Sequence, residues 1–249
     1  MSDAAPATLR VLGSGGAFGH GGRLQACAIL EHAGGRALID CGTTSLLAMR
    51  RFEIDPQSID TVLLTHFHGD HVGGIPWLVL DAQFNHRERP LVVAGPRGVA
   101  ERITATMEDV VRGLSLTKQR FELRFVEYAL RAPVRLAPFE VTAYPVDHTP
   151  GSEPVALRIT AGDKVLAVSG DTTWTETLVE VARDSDLFLA EGYSFEKRIP
   201  YHLSVRALID HRAELGASRI VVTHVGEDTL AHLAEVPFEV AADGSAYRL

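Results

Sequence analysis

Four times along this chain an apolar, β-branched run stops at a histidine or an aspartate. Val62-Leu63-Leu64 leads into Thr65-His66-Phe67-His68-Gly69-Asp70-His71, and a short strand-like run leads through Tyr144-Pro145-Val146-Asp147 to His148. Lys164-Val165-Leu166-Ala167-Val168 precedes Ser169-Gly170-Asp171, and Arg219-Ile220-Val221-Val222-Thr223 ends at His224. Such runs read as buried strands, and α/β proteins build their sites where the carboxyl ends of buried strands share a rim. The pattern therefore predicts an α/β chain in which four distant segments deliver polar side chains to one place.

The first segment is the densest. Neutral imidazole and carboxylate are the ligands that borderline divalent metals prefer. Residues two apart in an extended segment project to the same side, so His66 and His68 can grip one ion. Asp70 and His71, at the start of the next turn, can reach a second. Singly, His148, Asp171 and His224 would read as ordinary loop-end polar groups; their shared placement after strands makes the joint reading a metal site.

Composition bounds the rest. A chain of 249 residues, 46% of them hydrophobic, fits a single α/β domain over 1–249 with a sizeable core. No stretch approaches the length of apolar sequence that a membrane span needs. The start Met1-Ser2-Asp3-Ala4-Ala5-Pro6-Ala7-Thr8 lacks the basic and apolar regions of a secretory signal. Cys27 and Cys41 read as reduced, buried thiols, and a cytoplasmic location is expected. The net charge of −8 comes with scattered basic residues; the densest group, His86-Arg87-Glu88-Arg89, contains an acid. Extended nucleic-acid binding, which needs a basic face, is disfavoured.

Neither a low-complexity linker nor a solenoid repeat interrupts the chain. Strands are predicted near 8–12, 26–31, 36–40, 61–65, 91–94, 139–144, 155–160, 164–169, 187–190 and 219–223. Helices are predicted near 44–52, 72–84, 98–112, 175–182 and 204–215. Val99, Ile103, Met107, Val110 and Val111 form a stripe at helical spacing before Gly113, and Ser204 can cap a helix that ends at Gly216. The glycines from Gly13 to Gly22 make a flexible loop after the first strand, read as turn-making, with His20 solvated within it. Both halves of the chain read as strands with interspersed helices, consistent with two facing mixed sheets.

The order His-x-His-x-Asp-His, then His, Asp and His on strand ends, resembles the metallo-β-lactamase superfamily. Leu12-Gly13-Ser14-Gly15-Gly16-Ala17-Phe18, Ile39-Asp40-Cys41-Gly42, Ala94-Gly95-Pro96-Arg97-Gly98, Ser169-Gly170-Asp171-Thr172 and Tyr201-His202-Leu203-Ser204 resemble its branch containing ribonuclease Z and small phosphodiesterases. The resemblance runs from about residue 9 to the C-terminus. It implies an α/β, four-layer αββα sandwich with two divalent ions, zinc foremost and manganese or iron as alternatives. His66, His68 and His148 would hold one ion; Asp70, His71 and His224 the other; Asp171 would bridge them. A water shared by two such ions is activated near neutral pH, and Asp70 can orient it. His202 would contact the phosphoryl group and protonate the leaving oxygen, steadied by Glu191. The alternative reading of His202 is a helix-start surface residue. Asp40 reads as an acceptor for a ligand imidazole or as a structural turn residue.

These readings lead to a dinuclear metal-dependent hydrolase acting on a small phosphodiester, cyclic ones included. Ribonuclease Z carries a tRNA-binding arm between the positions matching His148 and Asp171. Here Val155 to Ala161 and Val165 to Ser169 fill most of that interval with strand-like sequence. The alternatives are a lactonase, thioesterase or β-lactam hydrolase using the same cluster, an iron-bearing redox protein, a non-catalytic scaffold, and a tRNA 3′-processing endonuclease. No membrane partner is expected, and the resemblance implies a homodimer.

Overall fold

Apolar side chains on both sides of most interior strands dictate a layered arrangement, and the computed structural model, which describes residues 6–249, shows one. The expectation for Met1–Thr8 falls mostly on residues 1–5, outside the described residues. Strands β1 (Thr8–Gly13), β2 (Cys27–His32), β3 (Gly35–Ile39), β4 (Thr61–Leu63), β5 (Leu91–Gly95) and β6 (Leu123–Glu127) form one sheet. The second contains β7 (Pro133–Leu136), β8 (Phe139–Pro145), β9 (Val155–Ala161), β10 (Lys164–Val168), β11 (Leu187–Glu191), β12 (Ile220–Thr223) and β13 (Glu239–Val240). The last strand, β14 (Ala246–Arg248), crosses back to pair with β1, so each sheet has seven strands. The orders are β14-β1-β2-β3-β4-β5-β6 and β13-β12-β11-β10-β9-β8-β7.

Three apolar layers hold these sheets. Leu9, Leu30 and Leu63 meet Leu157, Ile159, Leu166 and Leu189 between the sheets. Outside the first sheet, Ile29, Leu38 and Val93 pack under α1 (Ser45–Arg51), α3 (Ile75–Phe84) and α4 (Val99–Val110). Outside the second, Ala167, Phe188 and Val222 pack under α5 (Thr177–Ala182) and α6 (Val205–Asp210). The period-2 alternation is legible in β9, where Leu157 and Ile159 face the inter-sheet core and Ala156 faces the helices. Each fully buried Leu or Ile contributes about 1.5–3 kcal/mol. Two mixed sheets between helices are the αββα sandwich.

All ten predicted strands form, and the four that the sequence did not announce are β6, β7, β13 and β14. These are the four sheet edges. Two predicted helices are broken. The 72–84 segment is two pieces, α2 (Gly69–Val72) and α3, because Gly73-Gly74 lies against the β3–α1 turn; a Cβ on Gly74 would sit 2.2 Å from the Gly42 carbonyl oxygen. The 204–215 segment breaks at His211 into α6 and α7 (Arg212–Leu215), where the His211 ring stacks on Trp174 at 3.8 Å. Ser204 Oγ accepts from the Ala207 N–H, and Gly216 ends α7 with φ 66°. No helix among the described residues is long and apolar enough to cross a membrane.

Candidate metal centre

Strand direction brings the polar residues together. β3, β4 and β5 are parallel, as are β10, β11 and β12. β8 is antiparallel to β9 and β9 to β10, so β8 runs with β10 and delivers its end to the same side. The residues following β3 (Asp40), β4 (His66, His68), β8 (His148), β10 (Asp171) and β12 (His224) thus converge, joined by Asp70 and His71 on α2 and by Glu191 at the end of β11. Asp40 and His224 hold φ values of 53° and 54°, sparsely populated conformations that turn these side chains off their strands into the rim.

His66, His68 and His148 form one donor cluster. His68 Nδ1 lies 3.2 Å from His66 Nε2 and 3.1 Å from His148 Nε2. Their other nitrogens have partners: His66 Nδ1 faces Thr65 Oγ1 at 3.0 Å, His148 Nδ1 the Tyr201 carbonyl at 2.7 Å, and His68 Nε2 Thr149 Oγ1 at 2.9 Å. Since a neutral imidazole has one N–H and one lone pair, those partners direct three lone pairs at one point. That arrangement is repulsive unless a cation occupies it. Tetrahedral coordination at roughly 2.0–2.1 Å places ligand nitrogens about 3.3 Å apart, close to the spacing here. Burial and neighbouring imidazoles push the pKa of His66 well down, and burial and His148 lower that of His68, so both present the neutral ligand form.

Asp70, His71, Asp171 and His224 form a second cluster. Asp171 Oδ1 is 3.5 Å from His71 Nε2, and its Oδ2 is 3.4 Å from His224 Nε2. The same Oδ2 lies 4.0 Å from both His66 Nε2 and His148 Nε2, which places this carboxylate between the clusters. Asp70 Oδ2 is 3.3 Å from His224 Nε2. Burial disfavours ionisation of both carboxyls, yet the adjacent imidazoles outweigh it and hold both well below the usual range. Burial likewise opposes charge on His71 and His224, but Asp171 and the other carboxylates raise both, His224 to about 10. This buried pocket therefore draws in positive charge. The donor set fits a divalent cation in each cluster.

The sequence left two readings open for Asp40, and the geometry selects the acceptor. Its Oδ2 is 2.8 Å from His71 Nδ1 and accepts the Thr65 hydroxyl at 2.9 Å; its Oδ1 accepts the Thr65 N–H. One carboxylate thus steadies His71 directly and His66 through Thr65. His202 is likewise brought in rather than left on the surface. Its Nδ1 is 2.5 Å from Glu191 Oε1 and 3.8 Å from Asp171 Oδ2, and its ring stacks on Tyr193 at 4.5 Å. Buried Glu191 also accepts the N–H groups of Thr172 and Leu203. Burial lowers the His202 pKa, but the bond to Glu191 and its charge win and raise it. Glu191, His202, Asp171 and His224 form a third grouping of donors.

Sequence reasoning gave no role to Thr65, Tyr193 or the Tyr201 carbonyl. Thr65 had a usable signal, a hydroxyl beside the first ligand; a backbone carbonyl has none. In the glycine loop, a Cβ on Gly16 would meet His224 Cε1 at 3.1 Å and Tyr193 Cε2 at 3.3 Å, so this loop packs on the site. His20 is half-buried against Phe18 rather than solvated. Cys27 and Cys41 are free and buried, and burial pushes the Cys27 thiol up to about 12.

Two seven-stranded mixed sheets between helices, with this His and Asp rim at their carboxyl ends, define the metallo-β-lactamase fold. The chain belongs to the family "Anti-Pycsar protein Apyc1", whose profile matches residues 7–238. It is similar to ribonuclease Z of Geobacillus kaustophilus, with 26% identity over 83% of this chain and 85% of that protein. In structure it resembles the metallo-β-lactamase fold protein YhfI of Bacillus subtilis (TM-score 0.80, 21% identity, 98% of this chain and 100% of that one). It also resembles a diphosphatase of the PhnP family (TM-score 0.76, 19% identity, 98% of each chain).

Proposed function

We propose that this protein is a dinuclear metal-dependent hydrolase that cleaves a small phosphodiester, cyclic ones included. The observation that carries the reading is the Glu191–His202 pair, a proton donor fixed at 2.5 Å by a buried carboxylate and set beside the donor clusters. His66, His68 and His148 would hold one cation, Asp70, His71 and His224 the other, with Asp171 between them. Two divalent cations bound there would activate water and neutralise charge developing on the phosphoryl oxygens. Asp70, ionised within the second cluster, would orient the attacking water. Glu191 takes the Nδ1 side of His202, so Nε2 carries the proton to the leaving oxygen. A lactone or thioester leaving group has less need of such a donor. The names of the ribonuclease Z relative and of the diphosphatase both denote cleavage at phosphorus.

Between His148 and Asp171 the chain makes only a short loop and the β9–β10 hairpin, paired from Lys164↔Ala161 to Val168↔Leu157. No arm for a long nucleic acid projects from it. Beside His202 opens a cleft of about 460 Å³ lined by Trp174, His211, the basic Arg198 and Arg206 and the acidic Glu196 and Asp210. That volume suits a small ligand.

The test is a hydrolysis panel with zinc-, manganese- and iron-loaded protein, offering a bis-aryl phosphodiester, a cyclic nucleotide, a lactone, a thioester, a β-lactam and a 3′-extended precursor tRNA. Turnover of a small diester without specific tRNA cleavage is expected. Accurate trailer removal at low enzyme concentration overturns the size argument, and preference for the lactone or thioester overturns the chemistry.

A further inference from the structure

Within the trio, His66 is backed by Thr65, itself held by Asp40, and His148 by the Tyr201 carbonyl. His68 is different. It is the most exposed of the trio, it presents Nδ1 rather than Nε2 to its neighbours, and its outer nitrogen faces a single side chain, Thr149. We infer that Thr149 is a positioning residue for the metal centre: its hydroxyl oxygen accepts the His68 Nε2–H, which selects the tautomer whose Nδ1 lone pair points at the cation. This rests on the metal-binding reading above.

The hydroxyl is placed by a rigid loop. Thr149 follows His148 directly, and its carbonyl accepts both the N–H and the hydroxyl of Ser152, closing a tight turn over 149–152. On the other side the Asp147 carbonyl accepts the Thr173 N–H, and the Asp147 N–H donates to Thr172 Oγ1, tying the loop to the segment after Asp171. With its backbone anchored on both flanks and a β-branched side chain, Thr149 has little rotamer freedom to lose. Imidazole tautomers are set by the partner of the nitrogen that does not bind metal, and removing such a partner costs roughly 10–100-fold in metal affinity. The loop that supplies His148 thereby also orients His68, so two of three trio ligands depend on it.

The experiment compares Thr149→Val, which keeps the β-branched shape, with Thr149→Ser, which keeps the acceptor. Metal release from the zinc-loaded proteins is followed in a chelator titration, and the His68 Nε2–H proton is followed by NMR on 15N-histidine-labelled protein. In Thr149→Val, one of the two ions should leave at a chelator concentration about 10–100-fold lower while the other is unchanged. The Nε2–H signal should be lost to solvent exchange. Thr149→Ser should restore both. Wild-type release of both ions from Thr149→Val, equal weakening of both, or a failure of Thr149→Ser to rescue each overturns the role of Thr149. A wild-type protein that binds no metal instead overturns the reading on which it rests. Thermal melting of the metal-free variants shows whether either has lost its fold.

Discussion

The two donor clusters share a rim and a bridging aspartate, but they are built from different chemistry. The trio of His66, His68 and His148 contains no carboxylate of its own, and its outer nitrogens face a hydroxyl, another hydroxyl and a backbone carbonyl. The quartet adds Asp70 and Asp171 to His71 and His224, and Asp40 backs His71 with a further carboxylate. Two unit charges about 4 Å apart attract by about 4 kcal/mol at an effective dielectric near 20, so an extra carboxylate ligand outweighs differences in hydrogen bonding. The trio is also the more open, because His68 is partly exposed while His71 and His224 are buried. The difference implies unequal sites: a tight quartet and a labile trio.

Asp171→Ala should have the largest effect, since one carboxylate lies within 4.0 Å of donors in both clusters. Wild-type protein should hold about two ions per chain by elemental analysis, and the variant should lose both. Retention of one ion at full affinity would show that the bridge is not shared.

Next in size is His202→Ala. His202 stands between the clusters, its ring 5.1 Å from that of His148 and 6.2 Å from that of His224, but its Nδ1 is occupied by Glu191. Its loss should lower diester turnover by about 10²–10⁴-fold and leave metal content unchanged. A drop in bound metal would make it a ligand and redraw the quartet.

Stepwise chelation of the loaded wild-type protein tests the asymmetry itself. The trio's ion should leave first, at a chelator concentration at least roughly tenfold below that which empties the quartet, a modest fraction of the electrostatic difference. With a spectroscopically visible ion such as cobalt, the first ion lost should be the one held by three imidazoles, without Asp70. Simultaneous release would mean that Asp171 and Asp40 couple the clusters too tightly for them to differ.

Asp40→Asn probes that coupling. Asp40 meets the quartet through His71 and the trio through Thr65 and His66. Affinity should fall about 10–100-fold, with the larger loss at the quartet, where the contact is direct. Unaltered trio affinity would show that the Thr65 relay carries nothing.

The same contrast governs what could be read from the sequence. The dense motif from His66 to His71 was legible because six residues carry four donors, and His148, Asp171 and His224 because each ends a buried apolar run. The interior strands were legible for the same reason, both faces being apolar. The edge strands β6, β7, β13 and β14 were not, since an edge faces solvent and carries charge, as in Arg124, Glu127, Arg135 and Glu239. Supporting groups fared worst. Thr65 and Thr149 are single hydroxyls with no spacing rule, and Tyr201 acts through its backbone at φ 67°. Such roles depend on which loops meet in space.

The smallest expected effect comes from the glycine loop. Gly16 lies on the quartet side only, with its missing Cβ 3.1 Å from His224 Cε1 and 3.3 Å from Tyr193 Cε2. These spacings are tight but not prohibitive: the Tyr193 ring can give by a few tenths of an ångström, whereas His224 is held at φ 54° between carboxylates. Gly16→Ala should therefore press on His224 without expelling it. The quartet's affinity should fall by less than the roughly tenfold lower bound for losing a supporting hydrogen bond, and the trio's should not change. Chelator titration of this variant beside Thr149→Val gives a pair of opposite signatures, one per cluster. If Gly16→Ala instead weakened the trio, the loop would reach across the rim, and the division into two independently supported clusters would have to be abandoned.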